Sequence, residues 1–214
     1  MTDSAPQPFV VVSYCTEENG YRAEAEARLL PSLRRFDCPH HLYIRPHSGS
    51  WRDNLFHKPA VIATALDDFP GQTIVWLDAD AEVVEDPVLF RYPDADFACH
   101  FRKIATGRKP APNTIVLRNN RAVRRLMSQW VAECEAARCD PENRRGLATN
   151  RRDGLVGDGA LLERALAASA PSLSVGELPL EYSAIFDKLQ VERPVVLQHQ
   201  ASRRLRHGGA ADRR

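Results

Sequence analysis

Thr73-Ile74-Val75-Trp76-Leu77-Asp78-Ala79-Asp80 is the stretch on which the fold turns. An uncharged run enters two aspartates spaced i, i+2. A short apolar run of this kind reads as a strand buried on both faces, and such strands belong to parallel sheets covered by helices. Alternate residues of an extended segment point the same way, so both carboxylates face one point. Two close carboxylates repel and lose hydration unless a cation sits between them. Mg²⁺ or Mn²⁺ suits that place, because such ions take oxygen ligands, often one or two carboxylates completed by substrate phosphates and water. Ligands of open α/β sheets bind just beyond the carboxyl ends of the strands, and this pair sits at such an end.

Upstream, residues 9–14 (FVVVSY) form a second buried-strand pattern. Residues 21–30 carry helix formers, and Pro31 is expected to end or kink that helix. Residues 41–44 read as a short strand. Residues 55–66 read as a helix with Pro59 in its first turn, where the missing amide costs nothing. This β-α-β-α-β order predicts an α/β fold: a Rossmann-like, mostly parallel central sheet with helices on both faces. Downstream, residues 97–102, 114–118, 173–176 and 195–198 look like shorter strands and predict a smaller antiparallel C-terminal part. Val123, Leu126, Met127, Trp130, Val131 and Cys134 recur at helical spacing as one core-facing stripe, and a further helix is expected over residues 158–168. Residues 103–112 and 140–157 read as exposed loops, each holding several cations with Gly or Pro.

The chain has 214 residues, 43% hydrophobic and 27% charged, which supports a packed core. One domain over residues 9–206 is expected, with flexible tails at 1–8 and 207–214. Lys+Arg number 29 against 28 for Asp+Glu, a net charge of +1, which argues against a broadly basic nucleic-acid module but leaves room for local basic patches. No apolar run approaches the roughly 18–20 residues of a membrane helix. The opening MTDSAPQP lacks the basic start and apolar centre of a signal peptide, so a cytoplasmic location is expected. The odd count of five cysteines, without metal-binding spacing, reads as free thiols.

The block W-R-D-N-L-F-H-K-P-A-V-I at residues 51–62, followed by V-W-L-D-A-D-A-E-V-V-E-D-P at 75–87, resembles the metal-dependent GT-A glycosyltransferases of the nucleotide-diphospho-sugar transferase superfamily. V-S-Y-C-T at 12–16 with G-Y-R at 20–22 resembles their nucleotide-binding opening. V-V-L-Q-H-Q-A-S-R at 195–203 resembles the strand whose terminal His completes the metal site. The resemblance implies a nucleotide-binding half over about 9–87 and an acceptor half over about 88–206. It implies transfer of a sugar from a nucleotide-diphosphate donor, most commonly a UDP-sugar, to a hydroxyl acceptor. Asp78, Asp80 and His199 would hold Mn²⁺ or Mg²⁺. Tyr14, Thr16 and Tyr21 would frame base and ribose, Trp51 would close over them, and Ala79 and Asn113 would contact nucleotide or sugar. Lys58, at a helix start that favours anions, would meet phosphate or sugar. Ser202 and Arg203 would clamp the diphosphate. Asp158 matches the Asp of the family's Asp-Gln and is the candidate catalytic carboxylate, with helix capping as its plainer role. Here Thr114 stands where the family has glycine, and Gly159 where it has glutamine.

Arg102, Lys103, Arg108 and Lys109 crowd one predicted loop, and Arg144, Arg145, Arg151 and Arg152 the other. A cationic rim would favour an anionic acceptor, including nucleic acid carrying a hydroxylated base. Three other readings remain. A haloacid dehalogenase-like phosphatase places its Asp pair after the first strand and not the third. A sugar nucleotidyltransferase opens with a glycine-rich phosphate loop, absent from residues 11–16. A non-enzymatic sugar- or nucleotide-binding module would not need both aspartates.

Overall fold

The computed structural model describes residues 6–17, 20–49, 51–105, 107–141, 156–188 and 191–201. Of Trp51 and Arg52 only the backbone is described. Residues 1–5, residues 202–214 with Ser202 and Arg203, and the second cationic segment at 142–155 lie outside these ranges.

Six strands form the main sheet in the order β2-β1-β3-β6-β5-β7. They are β1 (Phe9–Thr16), β2 (His40–Arg45), β3 (Thr73–Leu77), β5 (Phe97–Ile104), β6 (Gly107–Leu117) and β7 (Val175–Glu177). β1 pairs in parallel with β2 and β3, and β5 with β7; β6 alone is reversed, antiparallel to both β3 and β5. The sheet is therefore mostly parallel, as the alternation of elements predicts. A second sheet joins β4 (Ala81–Val83), β9 (Val196–Gln198) and β8 (Ala184–Ile185) in the order β4-β9-β8.

Alternation along the strands feeds two cores. Val10, Val12, Ile74 and Trp76 pack on one face with α4 (Lys58–Asp68), α5 (Arg121–Cys139) and α6 (Asp158–Ser169). Val11, Cys15, Val75 and Leu77 face the other side and meet Ala25, Leu29 and Leu33. The stripe read from the sequence is the buried face of α5, except that Val131 lies half-exposed. All five cysteines are free.

Several boundaries depart from expectation. The first helix does not stop at Pro31: α1 (Tyr21–Glu24) passes through a π-helical stretch (Ala25–Leu29) into α2 (Leu30–Arg35). The wider winding just before Pro31 absorbs the amide that proline lacks. The helix expected over 55–66 is two helices, α3 (Trp51–Phe56) and α4, broken at His57, with Pro59 in the first turn of α4. Residues 103–112 are not a loop but the paired ends of β5 and β6. Their prolines mislead because a sheet accepts proline beside a bulge, and the register slips between Cys99 and His100. The late strand runs Val175–Glu177 and not 173–176.

Candidate functional site

Leu77, the last residue of β3, pairs with Thr114 of β6. Just beyond, the Asp78 amide donates to the Asn113 carbonyl at 3.1 Å and the Ala81 amide to the Asp78 carbonyl at 2.9 Å. The chain turns here and re-enters as β4. Both aspartates of the sequence motif lie on this turn, at the carboxyl end of a fully buried strand.

Asp78 is bound into a knot. Its Oδ1 accepts from Trp76 Nε1 at 2.9 Å and faces Lys58 Nζ at 3.0 Å. The same ammonium donates to Asp158 Oδ2 at 2.8 Å and to the Pro112 carbonyl at 2.9 Å. Three N–H groups thus find three oxygens. Lys58 is buried, at 3% exposure. Burial works against its charge, but the carboxylates of Asp158 and Asp78 outweigh it and raise its pKa. Asp78 is pushed up by burial, with Lys58 pulling the other way. The sequence reading sends Lys58 toward phosphate or sugar; in the structure its ammonium meets three protein oxygens and lies over the Trp76 ring, 5.6 Å from its centroid.

The knot follows from how two helices begin. Lys58 is the first residue of α4. Asp158 is the first of α6, whose N-cap is Gly157 and not Asp158, and its Oδ1 accepts from the Gly159 amide at 2.9 Å. A Cβ at Gly159 would lie 3.3 Å from the Pro110 carbonyl, so glycine lets this helix start sit close against β6.

Asp80 has different surroundings. It is buried at 8% exposure, with Oδ2 taking the Ala201 amide at 2.6 Å. No ion pair to it is found among the described residues. Burial first, and then the negative charge of Asp78, push its carboxyl up to about 6. The backbone of β9's exit is tied to the same residue, since the His199 amide donates to the Asp80 carbonyl at 3.0 Å. The His199 ring points its Nε2 at Glu82 Oε2, 2.8 Å away, and stacks on Phe186. His199 and Asp80 therefore share a corner, yet no cluster of three or more His, Cys, Asp or Glu poised for a metal occurs among the described residues.

A cleft of about 880 Å³ opens over this corner. Tyr14, Thr16 and Tyr21 from the end of β1 and the start of α1 line one side, and Ala79 and Asn113 the floor, as the sequence reading groups them. Asn113 is fixed by the Ser183 hydroxyl at 2.8 Å. The Tyr14 hydroxyl donates to the Asn54 carbonyl at 3.0 Å. Asn54 escaped the sequence reading: its amide nitrogen is buried without a partner among the described residues, and the hydroxyl of Thr16, which the sequence reading places here, is likewise unpartnered. Orphaned donors inside a cleft are expected where a ligand supplies the acceptor. The signal for Asn54 lay in the quoted W-R-D-N block, but nothing in its spacing separates it from its neighbours. His100 also lines the cleft, with Nδ1 3.2 Å from the Leu178 carbonyl; the bulge that turns it there is invisible in sequence.

Chemically, the corner fits a divalent cation in a restricted way. Asp80 is a buried carboxylate whose negative charge is disfavoured where it stands, so a cation beside it would be stabilising. Asp78 is already matched by Lys58. The donor set is therefore one carboxylate with an imidazole nearby, which suits an ion that keeps most of its shell for substrate phosphate and water.

No protein-family model and no curated protein matches this sequence. The fold does have solved counterparts. A glycosyltransferase involved in glycosylation of the major capsid of PBCV-1 superposes with a TM-score of 0.61 at 10% identity, covering 94% of this chain and 98% of that one. GlyE, a glycosyltransferase of Streptococcus pneumoniae TIGR4, gives 0.57 at 13% identity, with 89% of this chain matched to 54% of that one. The bifunctional glycosyltransferase WbbM gives 0.54 at 10%, covering 91% and 46%. This chain spans nearly all of the first and about half of the other two. The fold is thus one that glycosyltransferases adopt.

Proposed function

We propose that this chain is a GT-A-type glycosyltransferase. It moves a sugar from a nucleotide-diphosphate donor, a UDP-sugar in the first instance, to a hydroxyl acceptor. The observation that carries the reading is Asp80: a carboxylate without an ion pair among the described residues, buried at the carboxyl end of β3, on the wall of a large cleft. The glycosyltransferase fold and the Asp-x-Asp bend support it together.

Asp80 and His199 would hold Mn²⁺ or Mg²⁺, with Asp78 at the same bend. When bound, the ion supplies positive charge to the diphosphate leaving group. Tyr14, Thr16, Tyr21 and Asn54 wall the end that takes base and ribose. Ala79 leaves room between the two carboxylates for the diphosphate. Ser202 and Arg203 follow His199 in the chain and serve as the diphosphate clamp. The Lys58 knot fixes the Asp158 carboxylate beside Asp78, where it takes the proton of the acceptor hydroxyl. That oxygen bonds the anomeric carbon as the bond from that carbon to the diphosphate breaks, and the diphosphate leaves with the electron pair.

The test is nucleotide release from a panel of sugar nucleotides with Mn²⁺ and no acceptor. Release that is metal-dependent and lost in Asp80→Asn supports the reading. Release that persists undiminished in Asp80→Asn overturns the metal role, and no release from any donor overturns the donor class.

A further inference from the structure

The outer halves of β5 and β6 form an arm. β5 is paired to β7 only through Phe97–Cys99, and β6 to β3 only through Thr114–Leu117. Past that, His100 and Phe101 still meet Leu178 and the core, and Pro110 and Ala111 are buried, so only Arg102–Ile104 and Gly107–Lys109 extend as a two-stranded end. At about 3.4 Å per residue these three residues on each strand reach roughly 10 Å past the packed ones.

Its register sets like charges opposite each other: Arg102 against Lys109, and Lys103 against Arg108. Directly opposed like charges destabilise a strand pair, so this arrangement weakens the ribbon that carries it. Arg108 is relieved by an ion pair with Glu177 and by lying over the Phe101 ring. Arg102, Lys103 and Lys109 have no ion pair among the described residues. Because side chains alternate along a strand, Arg102 with Lys109 occupies one face of the ribbon and Lys103 with Arg108 the other. Arg102 and Lys103 also line the cleft that holds Asp80 and Asp158. In a chain of net charge +1, this is a local concentration of positive charge at the rim of the candidate site.

We infer that the arm grips duplex nucleic acid, and that the hydroxyl acceptor is carried on that polymer. A flat anionic surface would call for cations on one face of the ribbon. Cations on both faces match a groove walled by phosphates on two sides. The major groove, about 12 Å wide and 8.5 Å deep, admits a two-stranded ribbon of this length. The inference rests on the transfer reading for the fate of the bound polymer, but the grip itself is independent of it.

The experiment is fluorescence anisotropy with a labelled random-sequence 24-base-pair DNA duplex across a salt series, using the full chain without metal or sugar nucleotide. Each phosphate-contacting cation contributes about 0.9 to the slope of log affinity against log salt. The triple variant Arg102→Ala/Lys103→Ala/Lys109→Ala is expected to flatten the slope by about 2.7, and Lys103→Ala alone by about 0.9, which covers the case that the triple variant does not fold. Arg193→Ala, an exposed cation paired with Glu85 outside the arm, leaves the slope unchanged. Single-stranded DNA of the same sequence is expected to bind at least tenfold more weakly. The grip is overturned by no duplex binding at low salt, by an unaltered slope in the Lys103 variant, by equal affinity for the single strand, or by binding to anionic phosphatidylserine vesicles in place of DNA. Duplex binding without any donor hydrolysis would sink the transfer reading and leave the grip intact.

Discussion

Asp78 and Asp80 stand two residues apart on one turn, Asp78 facing the α4 and α6 starts and Asp80 facing the exit of β9. Asp78 has a buried ammonium at 3.0 Å and an indole N–H at 2.9 Å. Asp80 has a backbone amide at 2.6 Å and, among the described residues, no cation. One corner is a knot of side chains in which Lys58 is shared by Asp78 and Asp158, and burial still raises the Asp78 carboxyl. The other holds a carboxyl at a cost, its acidity shifted to about 6 by burial and by its neighbour. The lesson is that a paired-acid motif need not act as a pair: one member is held by side chains from two helix starts and the other by the backbone leaving β9.

Lys58→Met should break this contrast most severely. It leaves Asp78 and Asp158 buried without their counter-charge, and truncating one partner of a buried ion pair typically costs about 3–5 kcal/mol. The urea midpoint should fall accordingly, and adding Asp78→Asn and Asp158→Asn to Lys58→Met should recover part of the loss. Asp80→Asn should act in the opposite direction on stability. A carboxyl held near 6, against an ordinary value of 3.8, binds its proton more tightly folded than unfolded. Its contribution is fully favourable below pH 3.8 and is lost as pH rises through about 6. The metal-free asparagine variant should therefore melt higher than wild type at pH 7.5, by up to about 3 kcal/mol of stability. Mn²⁺ should raise the wild-type melting temperature and leave that variant unmoved.

Asp158→Asn sharpens the comparison more gently. Lys58 keeps Asp78 and the Pro112 carbonyl, so about 1.5–3 kcal/mol is at stake, the worth of one charge-assisted hydrogen bond. Donor turnover into an acceptor should suffer more than acceptor-independent hydrolysis. The smallest effect belongs to Asp96, whose carboxylate is held below its ordinary range mainly by the Ser174 amide, with Asn120 at 2.6 Å. Its stability term is present above pH 3.8 and is lost as pH falls through its lowered folded value, the reverse of Asp80. Asp96→Asn should flatten the melting curve below pH 3.8, and Asp80→Asn should remove a loss of stability between pH 3.8 and about 6; a slope of one sign from both would contradict the assignment.

The elements up to Leu77 were legible because buried parallel strands and the helices between them carry strong, local patterns. β3 falls on the residues its apolar run marks out. The reversed strand was only half legible: residues 114–118 read as a strand, but Pro110 and Pro112 disguise its first half, and β6 ends at Leu117. At the site, Asp78, Asp80 and Asp158 were each singled out from sequence. That Lys58 would turn inward to join two of them depends on helix starts 100 residues apart in the chain meeting in space, which no local spacing encodes. The orphaned Asn54 amide likewise emerges only when α3 is placed beside β1.

The single reversed strand has a modular consequence. Because β6 enters the sheet next to the Asp turn, one continuous strand runs from the tip of the ribbon to the carbonyls that secure Lys58 and Asp78. Residues 102–104 and 107–109 form a head on a stem whose first residues, Phe101 and Pro110, are packed against the body. Grafting hairpins of other charge and length onto that stem would give a family of chimaeras that share one reaction centre and differ in what they are delivered to.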